Sequence, residues 1–198
     1  MALTVVLFAS CFFATVFFMP IYLQIGAGVA AHHSGLLLLP LTLGMVAGST
    51  TTGRIVASTR QPTPMPRVGL TASACMLLLL GLLTPRSSTI IACGFICGMG
   101  FGTVMPTAQL TIQTLAGRQR LGAAAAIVSV SRSLGAVLGT AVFGALVFGL
   151  LDGVAIGDGA PTARAPVVIH AFQVGFIATA GVALAGAFCA LRLPRLRL

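Results

Sequence analysis

The sequence contains no lysine, no tryptophan and no glutamate, and its only two carboxylates are Asp152 and Asp158. An ordinary soluble domain carries about 25% charged residues, whereas 7% of these 198 residues are charged. That deficit excludes a water-soluble globule and a disordered tail. Two carboxylates also leave little for acid–base or metal chemistry, so neither an enzyme nor a cofactor is expected. The five cysteines, Cys11, Cys75, Cys93, Cys97 and Cys189, fall inside apolar runs, and their spacing fits neither a disulfide framework nor a zinc site. They read as small packing residues, and no metal is expected.

What is abundant is apolar sequence, at 58% of the chain. A bilayer core of about 30 Å needs about 20 apolar helical residues. Read with their turns, the uncharged runs predict six spans, 3–23, 35–53, 68–84, 89–114, 121–150 and 170–191. The first lacks a basic leader and far exceeds a signal-peptide core, so it reads as a span. The fold class predicted is an all-α integral membrane protein in one six-helix bundle, 1–198.

All eleven cationic residues are arginine and the net charge is +9. Arg54, Arg60 and Arg67 follow the second span, Arg118 and Arg120 follow the fourth, and Arg192, Arg195 and Arg197 end the chain. Those eight share one side, while Arg86, Arg164 and both aspartates fall on the other. By the positive-inside rule the arginine-rich side is cytoplasmic, with both termini on it. The charge is therefore a topology signal rather than a nucleic-acid footprint, and no base-stacking aromatics lie among the arginines. The partner it implies is the lipid bilayer.

The spans also repeat. Leu43–Gly53 reads LGMVAGSTTTG and Leu134–Gly144 reads LGAVLGTAVFG, aligning Gly44, Gly48 and Gly53 with Gly135, Gly139 and Gly144. Met19-Pro20 before Gln24 echoes Met105-Pro106 before Gln109, and Val68-Gly69 echoes Val174-Gly175. Residues 1–85 and 86–198 thus read as two three-helix repeats of inverted topology, an arrangement known in transporters. Gly44, Gly48, Gly135 and Gly139 give smooth helix faces for close packing, with Gly144 beyond them.

Polar residues inside the spans are the candidate site. Pro106, after Gly98, Gly100 and Gly102, predicts a bend in the fourth span, and Pro20 sits correspondingly in the first. Gln109 and Gln113 share one helix face, with Thr107 nearby, and Tyr22 and Gln24 lie near the outer end of the first span. Such groups are costly against lipid, so they either line a substrate pathway or bond neighbouring helices. Arg132, the one charge within a span, either snorkels to the interface or pairs with an anion or proton relay. No Asp, Glu or Lys lies in any span, and His32, His33 and His170 sit in or beside outer loops. Any proton-carrying acid must come from elsewhere.

Taken in order, PIYLQ (20–24), SGLLLLPLTLG (34–44), GRIVAS (53–58), GMGFGTVMPTAQLTIQ (98–113) and SRSLGAVLGTAVFG (131–144) resemble the major facilitator superfamily. The resemblance is to the C-terminal half of fourteen-span drug:proton antiporters of the EmrB/QacA type and covers nearly the whole chain. It implies alternating access of two bundles around a central cavity lined by spans one and four, with proton-driven efflux of small molecules from the bacterial inner membrane. Gly53, Arg54 and Arg60 resemble the family's cytoplasmic loop motif without its acidic partner. The family's proton-carrying acids lie in the other half, so the expected partner is an N-terminal half of six or eight helices, or a second copy. The alternative reading is a truncated, non-transporting remnant or an accessory membrane-binding subunit.

Overall fold

A computed structural model describes residues 1–26, 35–36, 38–59, 64–82, 87–151 and 161–192, and every regular element among them is helical. The helices are α1 (Ala2–Ile21), α2 (Leu39–Thr59), α3 (Pro64–Leu82), α4 (Ser87–Gly102), α5 (Val104–Ala116), α6 (Leu121–Leu151) and α7 (Pro161–Leu191). α1 runs on through a π-helical turn, Tyr22–Gly26. A short 3-10 turn, Arg118–Arg120, joins α5 to α6. His32, His33, Arg60, Arg86, Arg195, Arg197 and both aspartates lie outside the described residues.

The helix limits follow local chemistry. α3 starts at Pro64, whose missing N–H is harmless in a first turn, so Arg67 lies inside the helix rather than in the expected loop. α5 stops at Gly117, whose φ of 71° and ψ of 169° form an extended positive-φ conformation that essentially only glycine adopts. α7 starts at Pro161, nine residues before its expected span.

Five stretches are long and apolar enough to cross a membrane: Ala2–Gln24, Pro64–Leu82, Thr89–Ala116, Leu121–Leu151 and Val167–Leu191. The expected second span, α2, is long enough at 21 residues but is not among them. Its Ser/Thr/Gly stretch, residues 48–53, lowers its apolarity. Three of those hydroxyls are tied to the helix itself. Ser49 donates to Val46 O (2.9 Å), Thr50 to Val46 O (2.9 Å) and Thr51 to Ala47 O, an internal use of polar groups that hydrocarbon tolerates.

The helices pack in three principal pairs, α2 on α4, α1 on α6 and α3 on α7. Glycine makes the first two close. A Cβ on Gly44 would strike the Phe95 carbonyl and one on Gly48 the Met99 carbonyl. From the other side, Gly98 abuts Leu41 and Gly102 abuts Met45. In the second pair Gly135 lies on the Val6 carbonyl and Gly139 on Ser10. The Ser10 hydroxyl donates across that seam to Gly135 O at 2.9 Å.

One core runs through the bundle, with Phe8, Phe101, Phe172, Phe176, Leu70 and Leu77 among its fully buried side chains. At one end Arg67 ties α3 to α7, donating from Nε to Ala190 O (2.8 Å) and from Nη2 to Leu191 O (3.2 Å). These are carbonyls that the end of a helix leaves without an N–H partner. α6 is the exposed member. Only 17% of its span is buried, against half of the first span. Val130, Leu134, Val137 and Val142 lie open along it.

Candidate functional site

The fourth span is not one helix. α4 ends at Gly102, and after Thr103 the chain continues as α5. Thr103 is held at the joint, its Oγ1 lying 2.8 Å from Gly100 O and 3.2 Å from Met65 O on α3. Pro106 falls in the first turn of α5, where its missing N–H deprives Gly102 of the usual helical donor. The helix is interrupted near the expected bend, but the glycines do not make the break. Gly98, Gly100 and Gly102 are pressed against α2 and α3 within α4, and the break comes one residue later.

Beyond the break, α2 and α5 border a cleft of about 350 Å³ lined by Thr52, Gly53, Val56, Ala57, Pro106, Thr107 and Leu110. Thr52 and Thr107 are buried. The Thr107 hydroxyl is committed to its own helix, 2.7 Å from Thr103 O and 2.9 Å from Val104 O. One turn on, the Thr111 hydroxyl is buried and makes no hydrogen bond among the described residues. Leaving such a group unpaired costs about 1–3 kcal/mol.

Of the other candidates, Gln109 is exposed and Gln113 half-buried on α5, and neither lines the cleft. Gln24 is exposed in the π-turn. Tyr22 is buried against α7, its ring 5.6 Å from those of Phe172 and Phe176. Pro20 is half-buried inside α1. Arg54 is exposed at the end of α2 that carries Gly53. Arg132 is exposed on α6, eleven residues from Leu121, which corresponds to about 16 Å along the axis. The structure thus brings Gly53, Pro106 and Thr107 together and leaves Tyr22, Gln24 and the Gln109–Gln113 pair at separate places.

A cluster of five rings escaped the sequence reading. Phe18 stacks on Phe143 with centroids 4.5 Å apart, and Phe143 also meets Phe172 and Phe176, which Tyr22 adjoins. Its signal was present in the repeat register, where Phe143 occupies the position of Thr52. A second cavity, of about 270 Å³, lies between α1, α6 and α7, bordered by Ser10, Cys11, Gly139, Phe143 and Thr179. Two of its polar groups are already satisfied, Thr179 by Gly175 O at 2.8 Å and the Cys11 thiol by Thr179 O.

Residues 1–140 match the Major Facilitator Superfamily profile. An uncharacterized MFS-type transporter of Mycobacterium tuberculosis is 34% identical over 161 residues, covering 77% of this chain and 23% of that protein. The multidrug transporter protein MdtP of Bacillus subtilis is 30% identical over 136 residues, 68% of this chain and 25% of its own length. The puromycin resistance protein of Streptomyces alboniger is 29% identical over 182 residues, 87% of this chain and 35% of its own. The chain therefore spans about a quarter to a third of these relatives. With several apolar helices and a profile match over more than two thirds of its length, this multi-pass membrane chain belongs to the Major Facilitator Superfamily, a family of transporters rather than enzymes.

Proposed function

We propose that the chain is the C-terminal half of a secondary active transporter of the fourteen-span drug:proton antiporter type, exporting drugs or other small molecules by alternating access. The observation that carries this reading is the helix pairing. Exchanging span one with four, two with five and three with six turns the α2–α4 pair into the α6–α1 pair and α3–α7 into itself. The exchange also turns Gly44 and Gly48 into Gly135 and Gly139, which sit at the two close seams. That supports inverted repeats over 1–85 and 86–198, with α2 as a sixth span whose hydroxyls are internally bonded. Glycine seams without interlocking side chains let one helix group rock against another.

The names of the Bacillus and Streptomyces relatives support drug efflux as the direction and cargo. Tyr22, Gln24, Thr107, Gln109 and Gln113 are our candidates for the pathway, and Gly53, Arg54 and Arg60 for the cytoplasmic loop motif. Both termini lie on the cytoplasmic side of a bacterial inner membrane, as the arginine distribution supports. No carboxylate occurs in residues 1–151 or 161–198. A proton-coupled cycle therefore draws its acid from a partner half of six or eight helices, or from a second copy. Such a partner would lie against the exposed apolar length of α6.

Inverted vesicles test the reading. Vesicles carrying this chain with an N-terminal half should accumulate an ethidium-type drug when a proton gradient is imposed, and vesicles with either half alone should not. No accumulation in any combination would leave the non-transporting remnant as the better account. For the pathway, Gln109→Cys and Gln113→Cys should react with a water-soluble maleimide. Absence of labelling at both, with and without substrate, would remove those residues from the path.

A further inference from the structure

The α2–α5 cleft arises from a geometric mismatch. α2 lies tightly on α4 as far as Gly48 and Gly102, and the chain then breaks at Thr103 and leaves as α5. The two helices diverge, and the space between them remains open at about 350 Å³. In the repeat register the other wedge, between α6 and the end of α1, has Phe143 where this one has Thr52. There rings meet, Phe143 stacking on Phe18 at 4.5 Å and lying 5.6 Å from Phe176, and the open space nearby lies to one side of Phe143, toward Ser10 and Thr179. One wedge holds rings and its counterpart carries a threonine. The comparison rests on the repeat reading above, whereas the cleft itself does not.

Thr52 differs from its neighbours in a second way. Ser49, Thr50 and Thr51 all return their hydroxyls to carbonyls of α2. Thr52 is 2% exposed, borders the cleft, and its hydroxyl makes no hydrogen bond to a described residue. Around it Val56, Ala57, Pro106 and Leu110 supply hydrocarbon, and no lining residue is charged.

We infer that this cleft is a binding site for a neutral, compact, largely apolar molecule bearing one hydrogen-bonding group, which the Thr52 hydroxyl meets. The volume is at the small end of ligand pockets, about 300–1,000 Å³. An ionised ligand is disfavoured because nothing in the lining offsets its desolvation. The site is distinct from the Gln109–Gln113 face, neither residue of which lines the cleft.

The test uses the whole chain in lipid nanodiscs with 1-naphthol, naphthalene and 1-naphthoate as probes, and empty nanodiscs as the blank. With no tryptophan in the chain, naphthyl fluorescence is read over little protein background. Saturable 1-naphthol binding is expected, with naphthalene weaker and 1-naphthoate absent. Thr52→Val, which removes only the hydroxyl, should weaken 1-naphthol about tenfold, the worth of one buried hydrogen bond, and leave naphthalene unchanged. Thr52→Phe should abolish both by filling the cleft. The inference is overturned if wild type binds no 1-naphthol saturably, which is also the result expected of a cleft held by a lipid chain. It is equally overturned if Thr52→Val binds 1-naphthol like wild type, or if a helical Thr52→Phe retains binding. Should Thr52→Phe fail to fold, the naphthol-to-naphthalene ratio in Thr52→Val decides. Absence of drug accumulation in every combination of halves, with naphthol binding intact, would sink the transporter reading and leave this one standing.

Discussion

A Cβ at Gly48 would meet the Met99 carbonyl, and one at Gly139 would meet backbone of Ser10. Neither neighbour is a side-chain end that can swing away, so each helix pair would have to separate. Gly48→Leu and Gly139→Leu should each destabilise the bundle by about 1–3 kcal/mol, the usual cost of overpacking. Gly122→Leu and Gly181→Leu, where nothing lies within 4 Å, should stay near zero. Thermal loss of the helical signal in detergent measures both sets. This much was legible in the sequence, because glycines four apart on a span announce a close seam. The third aligned pair was not legible as structure: Gly53 faces open space, while Gly144 has the Phe18 ring 3.3 Å from its Cβ position. The difference lies in the neighbouring Thr52 and Phe143, whose partners come from distant helices.

At the scale of elements, Pro106 drew attention to an interruption of the fourth span, but not to its position. Three glycines in α4 suggested a weakened helix, and tertiary packing against α2 and α3 keeps them helical instead. The break falls at Thr103, held by a hydroxyl bond reaching α3. Pro106→Ala would return an N–H to face the Gly102 carbonyl. The joint should stiffen by about 1 kcal/mol, the net worth of one backbone hydrogen bond, seen as slowed amide exchange over residues 103–107. If α4–α5 motion gates export, the same variant should lower the export rate while leaving drug binding intact. A second elemental contact lay beyond sequence reasoning. Arg67 was expected in a cytoplasmic loop, yet it reaches the last carbonyls of α7, 123 residues away. Arg67→Gln should loosen that end by about 1 kcal/mol, read as faster amide exchange in the last turn of α7 and little change elsewhere.

For the whole molecule, the decisive quantity is the surface left uncovered. α6 is 31 residues long, about 46 Å at 1.5 Å per residue, and most of its residues are not buried by the bundle. Composition made it readable as a span but could not show which face is uncovered, because apolar residues surround it on all sides. Lipid would cover such a face adequately, so exposure alone does not distinguish a partner. Arg132 sharpens the choice, because a cation part-way along an apolar helix costs about 2.5–3.5 kcal/mol on insertion scales unless it snorkels or meets an acid: with no acid among the described residues, it either snorkels or takes its acid from a partner. Cysteine at Val130 or Val137, both exposed on α6, separates the cases in a background lacking the exposed Cys75. With an N-terminal half present, a short bifunctional maleimide should yield a product of the combined mass. With this chain alone, a product of twice its mass would identify a second copy as the cover. If Val130→Cys and Val137→Cys stay monomeric in both settings while a lipid-soluble maleimide labels them fully, the face belongs to the bilayer, and the partner proposed for it is refuted.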